Sequence, residues 1–219
     1  FVGNASYSFE DRYFVDASFR TDGSSLYGSD RRFAPFWSAG IGWNIHREGF
    51  MSDVDWINRL KIRASVGETG SNNFSSYEAM ATYAYSLSDR YYNWMGANMK
   101  ALANPDLEWQ TTLDKDIGFD ITILNNRLTL TGDYYYKTTD PLLIAISMPP
   151  SSGATDNMTY KNFGKQTSKG FTASATYYII RRMSERIWWS VRGNLRHGSN
   201  ELSGIGNRLE MYNSQEREG

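Results

Sequence analysis

Five charged residues on two predicted strands have the spacing of a cross-strand charge ladder. Lys61 and Arg63 alternate with apolar residues along one segment, and Asp114, Asp116 and Asp120 do so along a later one. Side chains two positions apart in a strand lie on the same face. If the two strands are antiparallel neighbours, the cations should stand opposite the acids and pair with them.

The three aspartates could instead form a metal or carboxylate site. The alternation places them on a water-facing side of the strand, where charges are tolerated, and opposite cations. We therefore favour the charge ladder and predict no metal and no cofactor. The sequence has no cysteine, which excludes thiolate metal sites and a disulfide scaffold.

The segment from Asp89 to Trp94 is a second candidate site, for binding. It mixes flat aromatic rings with polar groups, as sugar-stacking sites do. The candidate ligand-binding residues are Asp89, Tyr91, Tyr92, Asn93 and Trp94. A self-packed loop, or contact with a protein partner, is the alternative.

Enzymatic motifs are lacking. His46 and His197 lie in separate connections or strand ends, and the sequence contains neither a Gly-x-Ser-x-Gly elbow nor a His-Glu-x-x-His pair. We predict that the chain is not an enzyme. The net charge of -1 gives no basic patch that would indicate nucleic-acid binding.

The elements that must position these residues are strands. Period-2 alternation predicts eight main strands, and the run from Leu60 to Val66 is the clearest of them. Connections after the first, fifth and seventh predicted strands are short, and those after the second, fourth and sixth are long. Successive antiparallel connections lie at opposite ends, so short turns share one end and long loops the other. A β-sandwich gives no reason for this sorting, whereas outer-membrane barrels show it.

Composition is compatible with a membrane barrel. The mean hydropathy of -0.56 and the absence of any apolar run near 18 residues predict no transmembrane helix. Aromatic residues make up 15% of the chain, including 15 Tyr and 7 Trp, as interfacial belts require. The alternation places Lys115 on the lipid side. Because a midplane lysine costs about 2–4 kcal/mol, we expect Lys115 to reach the headgroups.

An ordered set of motifs resembles the SusC/RagA family of TonB-dependent outer-membrane transporters. The set comprises RTDGSS at 20–25 with Arg32 and Phe33, WSAGIGWN at 37–44, LKIRASVGETG at 60–70, NPDLEWQTT at 104–112, NNRL at 125–128, DYY at 133–135 and KGF at 169–171. Each motif alone is weak, but the ordered set covers nearly the whole chain.

The resemblance implies an all-β fold, an antiparallel transmembrane β-barrel fragment with about eight main strands of a 22-stranded barrel. Residues 1–219 would form part of one barrel domain, with the plug domain and the remaining strands absent. The implied partners are a SusD-like lipoprotein lid, TonB acting through the missing N-terminal part, and the lipid of a Gram-negative outer membrane.

The implied function is uptake of an oligosaccharide or peptide nutrient through the barrel. This chain would supply part of the pore wall and of the extracellular loops, and substrate identity stays open. The alternative hypothesis is a surface-exposed glycan-binding or adhesion β-module. Folding without detergent would favour that alternative.

Overall fold

The computed structural model describes residues 1–25, 32–71, 79–92, 94–104, 106–154, 158–182 and 187–204, and of residues 87–89, 91, 147, 181 and 182 it describes the backbone only. Eight strands form one continuous sheet, the wall sheet, in the order β1-β2-β3-β4-β7-β8-β11-β12. The wall strands are β1 (Val2–Phe9), β2 (Tyr13–Gly23), β3 (Phe33–Asn44), β4 (Ile57–Ser71), β7 (Gln110–Ile123), β8 (Leu128–Thr139), β11 (Lys165–Arg182) and β12 (Ile187–Ser203). The other strands form two hairpins outside the wall, β5 (Thr82–Tyr91) with β6 (Trp94–Ala101) and β9 (Leu143–Ser147) with β10 (Met158–Asn162).

Every neighbouring pair in the wall sheet is antiparallel, and the register aligns side chains of one kind. Ile62 lies opposite both Trp43 and Phe119. These residues belong to the apolar face, on which large side chains such as Ile41, Ile117 and Leu195 are exposed. The opposite, polar face carries Asp, Arg, Lys, Ser and Thr side chains. The predicted alternation is therefore the actual organisation of the sheet.

Connections are sorted by length between the two ends of the wall sheet. The short connections after β1, β7 and β11 lie at one end, together with the β3–β4 connector, which contains 3₁₀ turns at Ile45–Arg47 and Gly49–Met51. The long connections after β2, β4 and β8 lie at the other end, and two of them contain the extra hairpins. No helix in the described part of the chain is long and apolar enough to cross a membrane.

The tight turn between β7 and β8 shows how the sequence forms a short connection. Asn125 and Asn126 have φ values of 53° and 63°, in the left-handed region that asparagine tolerates better than most residues. The backbone N–H of Arg127 donates to the carbonyl of Ile123 at 3.2 Å. These two asparagines form the short connection expected after the fifth predicted strand.

Buried side chains lie at the long-loop end. Among the described residues, those classed as buried hydrophobics are Ala34, Phe36, Leu107, Ile146 and Ala154. Phe36 and Trp109 meet edge to face with ring centroids 5.6 Å apart. An isolated wall sheet exposes both faces, so the packed core is instead the place where loops and hairpins cover the strand ends.

The alternation predicts eight main strands, so the four strands of the two hairpins are additional to them. β5 and β6 lie in the connection after β4, and β9 and β10 lie in the connection after β8. Five-residue strands without clear alternation carry too little periodic signal for detection. β4, at Ile57–Ser71, also extends beyond the alternating run from Leu60 to Val66, because a strand can continue in polar sequence while its neighbour supplies hydrogen bonds.

Candidate functional site

The polar face of β4 and β7 brings the predicted ladder residues together. Lys61 lies opposite Asp120, while the backbone of Asp116 pairs with Ser65 and that of Asp114 with Gly67. The five residues therefore share one face of two neighbouring strands. Their individual partners differ from simple cross-strand pairs.

Arg63 lies at the centre of this face. It stands opposite Gly118, and its guanidinium pairs with Asp133 of β8 and, at 3.8 Å, with Asp120. A Cβ at Gly118 would lie 2.9 Å from the Nε and Nη2 atoms of Arg63. The glycine therefore leaves the path along which the arginine reaches across β7 to β8.

Two further cations complete the arrangement. Lys137 donates to Asp114 at 2.6 Å, and Lys61 places its ammonium over the Phe14 ring at 5.1 Å rather than within ion-pair distance of Asp120. Asp133 and Lys137 were not among the predicted site residues. The sequence did contain a signal for them. Thr131, Asp133 and Lys137 are separated by even numbers of residues along β8, so they lie on one face, and Thr131 lies opposite Asp120.

The predicted ligand-binding segment forms the tip of the β5–β6 hairpin. Tyr92 has a φ of 57° and is 87% exposed, and Trp94, which begins β6, is 75% exposed. The side chains of Asp89 and Tyr91, and Asn93 as a whole, lie outside the described residues. Tyr83 and Tyr85, on the same hairpin, are also exposed. Several exposed aromatic rings therefore lie on a hairpin that is not part of the wall sheet.

The run NPDLEW at 104–109 anchors the other hairpin. Leu107 is fully buried, and Asn104 donates its side-chain N–H to the carbonyl of Tyr160 at 2.7 Å. The Asn162 side chain accepts from the N–H of Glu108 at 3.0 Å and donates to its carbonyl at 2.8 Å. We call these three contacts the asparagine clamp (Asn104, Glu108 and Asn162). The clamp holds β10 against the segment that leads into β7.

A carboxylate organises the aromatic residues at the short-turn end. Glu48 accepts hydrogen bonds from the Tyr13 hydroxyl at 2.7 Å and from the Trp43 indole at 2.9 Å, and the two rings are stacked. The Trp43 and Tyr13 hydrogen bonds, in that order, lower the pKa of Glu48 below its ordinary value. The anionic form is therefore the one that fixes both rings.

The described residues contain no group of three His, Cys, Asp or Glu side chains arranged to hold a metal ion. The Nδ1 of His46 lies 3.2 Å from the carbonyl of Leu60, to which it donates, and the ring of His197 in β12 lies 5.7 Å from that of Phe171. The two histidines are thus occupied in separate structural contacts.

The family is decided by comparison with known proteins. Residues 1–215 match the family model described as TonB dependent receptor-like, beta-barrel. The chain belongs to the TonB-dependent receptor β-barrel family. This family is non-enzymatic and resides in the Gram-negative outer membrane.

Individual relatives place the chain with the SusC and RagA proteins. It is 33% identical to TonB-dependent receptor P39 of Formosa agariphila over 197 residues, covering 90% of this chain and 18% of that protein. It is 31% identical to TonB-dependent receptor SusC of Bacteroides thetaiotaomicron, covering 93% of this chain and 20% of that protein. It also resembles the RagAB peptide transporter structure with a TM-score of 0.83 and 28% identity, over 94% of this chain and 22% of that chain.

The chain spans about a fifth of the length of the relatives it matches. Because a barrel in the outer membrane meets lipid outside and water inside, we assign the exposed apolar face to lipid and the polar face to the lumen. By the same assignment the short-turn end is periplasmic and the long-loop end extracellular.

Proposed function

We propose that this chain forms part of the pore wall and extracellular mouth of a transporter that imports an oligosaccharide or a peptide. The plug domain, the TonB contact and the remaining barrel strands would belong to parts of the protein beyond these 219 residues. A SusD-like lipoprotein would cover the mouth. Similarity to the RagAB peptide transporter and to SusC supports this assignment.

The observation that carries the proposal is the exposed aromatic surface of the β5–β6 hairpin. Tyr85, Tyr92 and Trp94 are each at least 75% exposed, and this hairpin is not part of the wall sheet that contacts lipid. Several large rings exposed to water on one short hairpin are typical of a binding surface. At the extracellular mouth they suit the apolar faces of sugars or the side chains of peptides.

The luminal charges favour passage of a hydrated polar solute. Asp114, Asp133 and Arg63 are engaged in pairs across the strands, so the described wall presents both signs rather than a single strong field. Such a wall supplies hydrogen-bonding groups without retaining a cargo of one charge. This agrees with neutral oligosaccharides and mixed peptides, and does not distinguish them.

The alternative of an autonomous glycan-binding or adhesion module requires two sheets packed face to face. The eight wall strands instead form one sheet whose apolar face is exposed. A soluble module would leave that face in water, whereas lipid covers it in a barrel.

Uptake measurements on the intact transporter test the proposal. We expect deletion of its gene in the native host to abolish growth on one oligosaccharide or peptide class supplied as sole nutrient. In the purified transporter–lid complex, the double substitution Tyr92→Ala and Trp94→Ala should weaken binding of that nutrient roughly tenfold, or about 1.4 kcal/mol. Tyr7→Ala, which removes an exposed ring from the lipid face, is the control. Unchanged uptake of every oligosaccharide and peptide after deletion would refute the function.

A further inference from the structure

Two lysines interrupt the lipid face of the wall sheet. Lys115 of β7 and Lys169 of β11 both lie opposite Tyr136 of β8, so the three form one row across the strands. The next row on the same face, two residues away along each strand, consists of Ile117, Tyr134 and Phe171. These three are exposed apolar residues of the lipid face. Both lysines are classed as exposed.

The row lies near the extracellular boundary of the membrane. Lys115 precedes Ile123, the last residue of β7, by eight positions. Eight residues at about 3.3 Å each, on a strand tilted by about 40°, rise about 20 Å. The apolar band of an outer-membrane barrel is about 25 Å tall, so the row lies about 5 Å inside its outer edge. Extended lysine side chains cover that distance and place both ammonium groups among the outer-leaflet headgroups.

Neither lysine is neutralised by the protein within the described residues. Their side chains take part in no ion pair there, although other lysines of the sheet do, such as Lys137 with Asp114. Glu68 and Glu201 are the acidic residues of the same face nearby, and each lies one row further outward, opposite Leu113 and Thr167 respectively. In the part of the chain that the structure describes, neither lysine therefore has a carboxylate partner in its own row or on the membrane side of it.

Apolar grooves run inward from this row. One, of about 390 Å³, lies beneath Tyr134 and Phe171, and its floor includes Gly132 under the ring of Phe119. The second groove has a volume of about 490 Å³ and contains the small residues Ala173, Ala175 and Gly193. It is also lined by the larger side chains of Phe119, Leu130 and Leu195. Together they offer a narrow apolar channel below a pair of cations.

We propose that this surface binds a lipopolysaccharide of the outer leaflet. Lys115 and Lys169 hold its phosphorylated sugar headgroup, and one acyl chain occupies the groove. The cations stand two strands apart, about 10 Å, with the Tyr136 ring between them. That span fits a phosphate-bearing disaccharide, whose sugar face can lie on the tyrosine, better than the single phosphate of a glycerophospholipid. Its place at the extracellular end selects the outer leaflet.

Lipid retention by the intact transporter tests this proposal. The protein is purified from its native outer membrane, and bound lipopolysaccharide is counted by native mass spectrometry. We expect Lys115→Gln with Lys169→Gln to reduce retention at least fivefold. The charge-matched control is Lys100→Gln with Lys161→Gln, which changes two exposed lysines of the extracellular hairpins and should leave retention unchanged.

Two further arms separate the headgroup from the acyl chain. In nanodiscs, the wild-type transporter should retain lipid A at least fivefold more than dephosphorylated lipid A or phosphatidylglycerol. Gly193→Leu adds a side chain where a Cβ meets no atom within 4 Å, so it should fill the groove without disturbing the fold and should lower retention. Slower migration of boiled than unboiled samples in gel electrophoresis verifies that each variant is folded.

Equal retention by the double variant and the wild type, both folded, would overturn the proposal. Equal retention of phosphatidylglycerol and lipid A by the wild type in nanodiscs would also overturn it, because the surface would then attract any anionic lipid.

Discussion

Because Gly118 has no side chain, Arg63 can cross β7 and pair with Asp133 on the polar face. A Cβ at Gly118 would lie 2.9 Å from the guanidinium. We predict that Gly118→Ala displaces Arg63 and destabilises the wall by about 1–3 kcal/mol, as overpacking does. The thermal midpoint of the purified intact transporter, measured by loss of the heat-modifiable gel band, should fall by several degrees.

Gly193→Ala is the matched control for that substitution. Gly193 is also a wall-strand glycine, yet a Cβ there meets no atom within 4 Å. Its effect should stay within about 0.5 kcal/mol. Equal midpoints for the two alanine variants would show that Arg63 does not depend on the space at Gly118.

Glu48 gives the periplasmic end a dependence on acidity. The pKa of Glu48 is lowered in the folded state by hydrogen bonds from Trp43 and Tyr13. Its contribution to stability is therefore complete above the unfolded-state pKa of about 4.3 and is lost as the pH falls through the lower folded-state value. We predict that Glu48→Gln lowers the midpoint at pH 7 and that the difference from wild type shrinks below about pH 4.

The measurement is the thermal midpoint of both proteins at a series of pH values from 7 to 3. Glu10→Gln, which changes a carboxylate in the exposed β1–β2 turn, serves as the control. A difference between Glu48→Gln and wild type that is constant over this range would contradict the role of the anion.

Sequence reasoning at the residue scale identified the polar face but not each partner. Lys61, Arg63 and the three aspartates could be placed on one face because strand periodicity fixes side-chain direction. The choice of Asp133 as the partner of Arg63 depends on the gap at Gly118 and on the register between β7 and β8. Neither can be derived from the spacing within one strand.

At the scale of elements, the asparagine clamp determines whether the β9–β10 hairpin is held against the wall. Replacing Asn162 by Ala leaves the N–H and carbonyl of Glu108 without the partners they have in the wild type. Loss of a hydrogen bond to a partly buried backbone group costs about 1–3 kcal/mol. We predict roughly tenfold or faster hydrogen exchange in peptides covering 143–162, with no change in peptides from β7.

Asn162→Asp is the informative comparison, since it retains the acceptor for the Glu108 N–H and loses only the donor. Its exchange rates should fall between those of the wild type and Asn162→Ala. Protection of the hairpin that is unaffected by the alanine substitution would contradict the clamp.

Two-residue periodicity in the sequence predicted the wall strands but not the β9–β10 hairpin. All eight wall strands were predictable because each alternates between lipid and water over its length. The β9–β10 hairpin was not, because its position depends on tertiary contacts, including the burial of Leu107 and Ile146. The motif at 104–109 could be recognised as a family feature, but its role as an anchor required the structure.

At the scale of the whole molecule, one sheet with two chemically different faces explains the composition. The exposed apolar residues that a soluble protein would bury are those that lipid covers, and the polar half of each strand faces the lumen. The sequence was sufficient for this architecture and for the family. It was not sufficient for the substrate of the proposed transport, because strand periodicity carries no information on the shape of the long loops.

The assignment of faces is tested most directly by single-cysteine spin labelling along β11. The chain has no cysteine, so labels at Ala173, Ser174, Ala175 and Thr176 report one position each once any cysteine elsewhere in the transporter is replaced. In membranes, labels at Ala173 and Ala175 should be relaxed by oxygen, which partitions into lipid. Those at Ser174 and Thr176 should be relaxed by a water-soluble nickel complex. A two-residue alternation in this sense is the predicted result, and its absence or reversal would contradict a membrane-spanning wall with these faces.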